Sequence, residues 1–159
     1  MTMTIRTGEL ADAPLIAELI LALARYEKLE HEVTMTEEKL AGTLFGARSY
    51  AETLIAEEDS EPVGFALFFH NYSTFLAQPG IYLEDLFVLP ERRGSGIGRA
   101  LLGRLAQIAV DRGCGRLEWA VLTWNKDAIR FYELLGARPN SEWTVYRLSG
   151  EPLRTLAGQ

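Results

Sequence analysis

The chain has 159 residues, 48% hydrophobic and 24% charged, with a net charge of −6; this suits one globular domain over 1–159 and argues against nucleic acid as the main partner. One cysteine, Cys114, excludes an internal disulfide, and with His31 and His70 the only histidines no metal site is predicted. No apolar run is long enough to span a bilayer, and the start "MTMTIRTGEL" lacks the basic and apolar regions of a signal peptide, so a cytoplasmic protein with no membrane partner is expected.

Residues 3–7 read as a short strand. Asp12 is placed to cap a first helix with Pro14 in its first turn, and "LIAELILALARYE" carries apolar residues at helical spacing. A second helix is expected near 36–46, started by Thr34 or Thr36 and ended around Gly46. "AETLIAEE" (51–58), the turn "DSEP" and "VGFALFFHNYS" (63–73) predict an antiparallel hairpin. "QPG" (78–80) reads as a break, and "IYLEDLFVL" (81–89) as a third strand ended by Pro90. A helix is expected from 96 to 112, closed by Gly113 or Gly115, and then a buried strand over 116–124. Asn125 suits the cap of a helix that ends at Gly136, and "WTVYRLS" (143–149) reads as a last strand. The tail from 150 is unassigned. The β-α-β run over 81–124 predicts parallel strands joined by a right-handed crossover, in a sheet that the earlier hairpin makes mixed.

Charge is unevenly spread. Glu27, Glu30, Glu32, Glu37 and Glu38 against Lys28 give residues 26–38 a charge of −4. Arg92, Arg93, Arg99 and Arg104 against Glu91 give residues 91–104 a charge of +3. The acidic segment suits a cationic ligand and the basic one an anion, although solvated helix faces would carry the same charges.

The basic segment holds Gly94, Gly96 and Gly98 between a strand and a helix. Alternate glycines let backbone N–H groups approach a ligand, and a helix N-terminus adds free donors and partial positive charge. Together they predict a phosphate cradle. A Walker loop is excluded because no Gly-Lys-Ser/Thr ends the run, and Arg99 occupies the third glycine of the dinucleotide pattern.

Arg93-Gly94-Ser95-Gly96-Ile97-Gly98 resembles the R/Q-x-x-G-x-G/A signature of the GNAT N-acetyltransferases, whose loop holds the pyrophosphate of acetyl-CoA. "TWNKDAIRFYELLGA" (123–137) resembles that family's closing motif, with Asn125 and Tyr132 at the matching places. "RYEKLEHEV" (25–33) and "YLEDLFV" (82–88) narrow the resemblance to the spermidine/spermine (diamine) N-acetyltransferases, over about residues 5 to 148.

The resemblance implies an α/β GNAT fold: a mixed, mostly antiparallel sheet of six to seven strands, a β-α-β acetyl-CoA-binding core and flanking helices. It implies that acetyl-CoA, the co-substrate, is held by Leu86, Phe87 and Val88, by Arg93, Gly94, Ser95, Gly96, Ile97, Gly98 and Arg99, and by Asn125, Asp127, Ala128 and Tyr132. Tyr26, Glu27, Glu84, Glu118, Trp119 and Ala120 would contact a small amine, and the family works as a homodimer with sites near the subunit interface.

The chemistry fits these types. A thiol titrates near 8.5 and tyrosine near 10, so a neutral tyrosine can protonate a leaving thiolate at cytoplasmic pH. Tyr132 is the expected general acid. An alkylammonium titrates near 10.4 and must lose a proton before attack. Glu84 and Asp85 are expected to alternate across their strand, so that only one faces the cleft, and Glu84 is assigned as the amine-side carboxylate and base. Cys114, with no histidine near it in sequence, is expected to be an inert thiol. Two departures reduce acidity beside the cleft: "YSTFLAQPG" (72–80) lacks an acid, and Lys126 replaces one. They leave room for a shorter diamine or a thialysine-like amino acid. The alternatives are a protein N-terminal or lysine acetyltransferase, and a catalytically silent acyl-CoA-binding regulator.

Overall fold

In the computed structural model residues 2–159 are described. Two compact units are present, Met1–Ala120 and Val121–Gln159. The first begins with β1 (Met3–Thr7), α1 (Ala13–Tyr26), α2 (Glu37–Leu44), β2 (Glu52–Glu58) and β3 (Glu61–Ser73). It continues with β4 (Gln78–Val88), α3 (Ile97–Asp111) and β5 (Leu117–Trp119). The second unit carries α4 (Lys126–Leu134) and α5 (Gly150–Leu156).

The strands lie in chain order, β1 to β5. The first three pairings are antiparallel and β4–β5 is parallel, as the β-α-β run requires. Leu19 and Leu23 of α1 pack with Phe65 and Phe87 of the sheet, and Leu67 and Leu89 lie against that cluster. Ile16 and Ala17 join Leu40 and Leu44 of α2 in a second cluster, which Leu67 also touches. Helix α3 buries Ile97, Leu101, Leu102, Leu105 and Ala109. A fully buried Phe65 contributes about 1.5–3 kcal/mol by leaving water.

Several expectations hold. Thr36 caps α2, its hydroxyl accepting from the Lys39 N–H at 3.2 Å. Gly136 follows α4 at φ +94, the left-handed position a helix stop favours. Others need correction. Asp12 precedes α1 but does not cap it. Its carboxylate is drawn to the Arg6 guanidinium (2.8 and 2.9 Å) and the Glu9 N–H, since a cation outcompetes a cap donor. Residues 78–80 do not break the chain. β4 begins at Gln78, and Pro79 is tolerated because β5 pairs with β4 only from Ile81.

The largest correction concerns strand number. Among the described residues the sheet has five strands, not six or seven. The segment 143–149 has strand-like composition, yet no strand pairs with it and Trp143, Val145 and Tyr146 are exposed. A β-prone sequence becomes a strand only when an edge receives it. The expected strand over 116–124 is likewise only Leu117–Trp119.

Candidate functional site

The glycine loop is built as a cradle. β4 ends at Val88, Pro90–Arg92 form a short 3₁₀ turn, and α3 starts at Ile97. Gly94 and Gly96 stand at φ +82 and +88, conformations that other residues adopt at a cost. A Cβ on either would meet nothing within 4 Å, so their outer faces are open to a ligand. The Ser95 hydroxyl donates to the Arg92 carbonyl at 2.6 Å and closes the turn. Ile97 is buried and anchors the helix start, and Gly98 passes close to the Val88 side chain. Arg99, in the first turn of α3, is exposed. Arg92 is partly engaged, 3.8 Å from the buried Glu58.

Arg93 does two things. Its Nε–H donates to the Val88 carbonyl at 2.9 Å, and its guanidinium lies 4.5 Å from the Tyr26 ring centroid and 5.3 Å from that of Phe87. An expected cofactor residue is therefore stacked on an expected substrate residue.

β4 supplies an open edge. β5 pairs only with Ile81, Tyr82 and Leu83. Beyond Leu83, no strand among the described residues pairs with that side of β4, which leaves Leu86, Phe87 and Val88 able to bond an extended ligand. Part of the capacity of Val88 is taken by Arg93.

The carboxylates lie earlier on the same strand. Leu67 of β3 opposes Asp85, but Phe68 opposes Leu83, so Glu84 is the extra residue of a β-bulge. A bulge interrupts alternation, and the expected division of Glu84 and Asp85 between opposite faces does not follow. Residues paired across a ladder share a face. Asp85 therefore shares the face of Leu67, on which α1 packs. Glu84 is exposed and Asp85 part-buried. Burial, then the charges of Glu84 and Glu27, push the Asp85 carboxyl up to about 7.

Glu27 caps the C-terminus of α1. The Leu29 N–H bonds the Ala24 carbonyl and the Lys28 N–H the Arg25 carbonyl, a Schellman stop with Lys28 at φ +62. The negative end of the helix dipole faces that position. Burial, and secondly Glu84, raise the Glu27 carboxyl. The Tyr82 phenol is raised by burial and then by Glu84 and Glu118. Glu118 is opposite Tyr82 in the ladder and accepts from the Asn71 amide at 3.2 Å. Trp119 is half-buried at the end of β5, and Ala120 is exposed.

In the second unit Asn125 caps α4, its side-chain oxygen accepting from the Ala128 N–H at 3.3 Å. Asp127 lies in the first turn and is exposed. Tyr132 is half-buried, with its ring 5.5 Å from that of Phe131.

The fold also brings His70 to Cys114, with Nδ1 3.9 Å from Sγ. That nitrogen lies 3.0 Å from the Gly80 carbonyl, which only a protonated Nδ1 can satisfy, and Nε2 accepts from Arg112 at 2.9 Å. Both ring nitrogens are committed, so the pair does not form a thiol–base dyad.

The model of the acetyltransferase (GNAT) family matches residues 16–137. The chain belongs to this family. It is 41% identical to thialysine N-epsilon-acetyltransferase from Bos taurus, over 98% of this chain and 97% of that protein. It is 34% identical to L-ornithine N5-acetyltransferase from Arabidopsis thaliana, over 96% of this chain and 86% of that protein. Among solved structures, an integron cassette protein from the mobile metagenome of V. cholerae superposes with a TM-score of 0.83 at 29% identity, over 100% of this chain and 99% of that one.

GNAT acetyltransferases use acetyl-CoA as co-substrate. This chain's residues fit it: open glycines at a helix N-terminus for the pyrophosphate, and an unpaired strand edge for the pantetheine arm. Two features of this acetyltransferase lay outside the sequence reading. The Arg93–Tyr26 stack joins residues distant in the chain, and the bulge at Glu84 has no local signature. No helix is long and apolar enough to cross a membrane among the described residues.

Proposed function

We propose that this acetyltransferase moves an acetyl group directly from acetyl-CoA to a terminal primary amine of a small cationic molecule. The substrate is a basic amino acid of the thialysine or ornithine kind, or a short diamine. The chain acts as one catalytic domain over 1–159, in the cytoplasm, where a single unpaired cysteine is at home.

The observation that carries this reading is the layout of β4. Its open edge at Leu86–Val88 adjoins the glycine loop, and its bulge sets Glu84 and Asp85 within the field of Glu27. An anion cradle and an acidic cluster thus flank one strand, as transfer from an anionic carrier to a cationic acceptor requires. The named activities of the bovine and plant relatives favour an acceptor with an ω-amine. The missing acid in 72–80 and Lys126 favour it over a long polyamine.

Acetyl-CoA supplies the thioester when bound. We assign Gly94–Arg99 to its pyrophosphate and Leu86–Val88 to its pantetheine arm, and count Asn125, Asp127, Ala128 and Tyr132 among the cofactor-binding residues. Tyr26, Glu27, Glu84, Glu118, Trp119 and Ala120 position the amine. Glu84 takes one proton from the ammonium, the freed amine forms the new C–N bond as the C–S bond breaks, Tyr132 gives its proton to the sulfur, and the second proton lost by the nitrogen restores the tyrosine. The exposed Trp143, Val145 and Tyr146 support a homodimer in which this arm is covered by a second copy. Thiol release with acetyl-CoA and a panel of amines tests the reading.

A further inference from the structure

On the amine-acetylation reading above, on which this rests, we infer a second cation subsite at Glu118. The acceptor's second ammonium binds there, over a floor of Phe69 and Tyr82, and the enzyme selects amines by the distance between two positive charges. Glu84 keeps its place at the reacting nitrogen.

Strand register is the first reason. Residues paired across a ladder share a face, and successive side chains alternate. Leu67, Phe69 and Asn71 of β3 therefore share one face, with Asp85, Tyr82 and Gly80 of β4 opposite them. Glu118 of β5 is opposite Tyr82 and joins that face. Helix α1 packs on it at Leu67. Phe69, Asn71, Tyr82 and Glu118 lie further along, each half-buried. One face of the sheet thus runs from the acids of β4 to Glu118.

Side-chain chemistry is the second reason. The Phe69 and Tyr82 rings lie 5.3 Å apart, tilted by 33°. Their faces suit both a methylene chain and a cation. The Tyr82 phenol feels the charges of both Glu84 and Glu118. Glu118 is held in place, its Oε1 accepting from the Asn71 amide at 3.2 Å. The side-chain oxygen of Asn71 lies against Gly80, where any Cβ would collide with it. Gly80 therefore makes room for the amide, and the amide fixes the carboxylate. Asn71, Gly80 and Glu118 line an open hollow of about 200 Å³. Arg116 borders it as well, so an α-carboxylate beside the ammonium is also accommodated.

Length is the third reason. Tyr82 and Glu84 are two residues apart on β4, and Glu118 lies one strand across from Tyr82. At about 3.3 Å per residue and about 4.8 Å between strands, Glu84 and Glu118 start from backbone roughly 8 Å apart. Two nitrogens separated by five or six bonds of about 1.5 Å span roughly 6–8 Å in an extended chain. Ornithine, thialysine, putrescine and cadaverine meet that span. A monoamine fills only the Glu84 end, and 1,2-diaminoethane is too short to reach Glu118.

The experiment is kcat/KM at saturating acetyl-CoA for cadaverine, ornithine, 1,2-diaminoethane and 5-aminopentan-1-ol. The last matches cadaverine in length but carries one charge. Wild type should prefer cadaverine to 5-aminopentan-1-ol by about 10- to 100-fold, the scale of one charged hydrogen-bonded contact. It should likewise prefer ornithine to 1,2-diaminoethane. This series needs no variant.

Glu118→Gln keeps the shape and removes the charge. It should raise the KM of cadaverine and ornithine by about 10-fold or more, with the loss in KM rather than kcat, and bring cadaverine down towards 5-aminopentan-1-ol. Asn71→Leu should give part of that rise. Asn71→Leu with Glu118→Gln should be no worse than Glu118→Gln alone, because the amide acts through that carboxylate. Tyr82→Leu, which removes the ring, should raise the KM of the dications by about 2- to 5-fold, the scale of a partly exposed cation–π contact. Coenzyme A binding and circular dichroism check that each variant folds. Equal kcat/KM for cadaverine and 5-aminopentan-1-ol in wild type, or an equal loss for both in Glu118→Gln, would overturn the subsite alone. Absence of wild-type turnover with every amine would remove the functional reading and the subsite with it.

Discussion

The guanidinium of Arg93 lies 4.5 Å from the ring centroid of Tyr26. The contact ties the loop that follows β4 to the C-terminal end of α1, and so the anion cradle to the acidic cluster. Cation–π pairs of this kind contribute about 0.5–2 kcal/mol. Arg93→Lys keeps the charge but loses the planar stack and the fixed Nε–H bond to Val88. We expect it to raise the KM of the amine by about 2- to 30-fold, the equivalent of that energy, besides weakening acetyl-CoA. Steady-state kinetics with each substrate varied in turn reads both effects, and an amine KM equal to wild type would separate the two sites.

Gly96 is a backbone requirement rather than a packing one. Its φ of +88 is costly for other residues, while nothing lies within 4 Å of an added Cβ. Gly96→Ala should cost about 1–2 kcal/mol and lower Tm by several degrees, with a raised KM for acetyl-CoA. Gly103, inside α3 and equally unobstructed, is the control. Gly103→Ala should raise Tm, since glycine is about 1 kcal/mol worse than alanine within a helix. Thermal melts of the pair test whether the cost belongs to the loop's conformation.

Tyr132→Phe removes a hydroxyl and little else. It should lower kcat by about 10²-fold or more, the usual scale for a lost general acid, with coenzyme A affinity unchanged by calorimetry. Equal kcat values would reject Tyr132 as the acid.

The arm at 143–149 leaves Trp143 76% and Tyr146 94% exposed. Exposed aromatic clusters of this kind mark interaction surfaces. Trp143→Asp with Tyr146→Asp should convert a dimer into a monomer by sedimentation velocity, with β1–β4 retained by circular dichroism. A monomeric wild type would exclude this use of the arm.

Much of the fold was legible because its signals are local. The Thr36 and Asn125 caps, the Gly136 stop and the β-prone runs of β2 and β3 each depend on a few neighbouring residues. The glycine loop was legible for the same reason, since its chemistry is written in adjacent positions. What failed depended on partners. Asp12 has the side chain of a cap, but Arg6 claims it. "WTVYRLS" has the composition of a strand without an edge to join. The bulge at Glu84 exists only relative to β3, through the shift between Leu67 and Phe68. It leaves Glu84 exposed and Asp85 part-buried, so the two adjacent acids do not divide simply between opposite faces. The contact of His70 with Cys114 likewise spans distant positions, and it took the ring's hydrogen bonds to show why the thiol has no base.

The most direct measurement is thiol release by the wild-type protein with acetyl-CoA and a panel of amines: thialysine, ornithine, putrescine, spermidine and an N-terminal peptide. Turnover of the small ω-amines, with the new amide on the terminal nitrogen by mass spectrometry and little turnover of the peptide, is the predicted result. Coenzyme A binding without turnover of any amine, or turnover of the peptide alone, would contradict it.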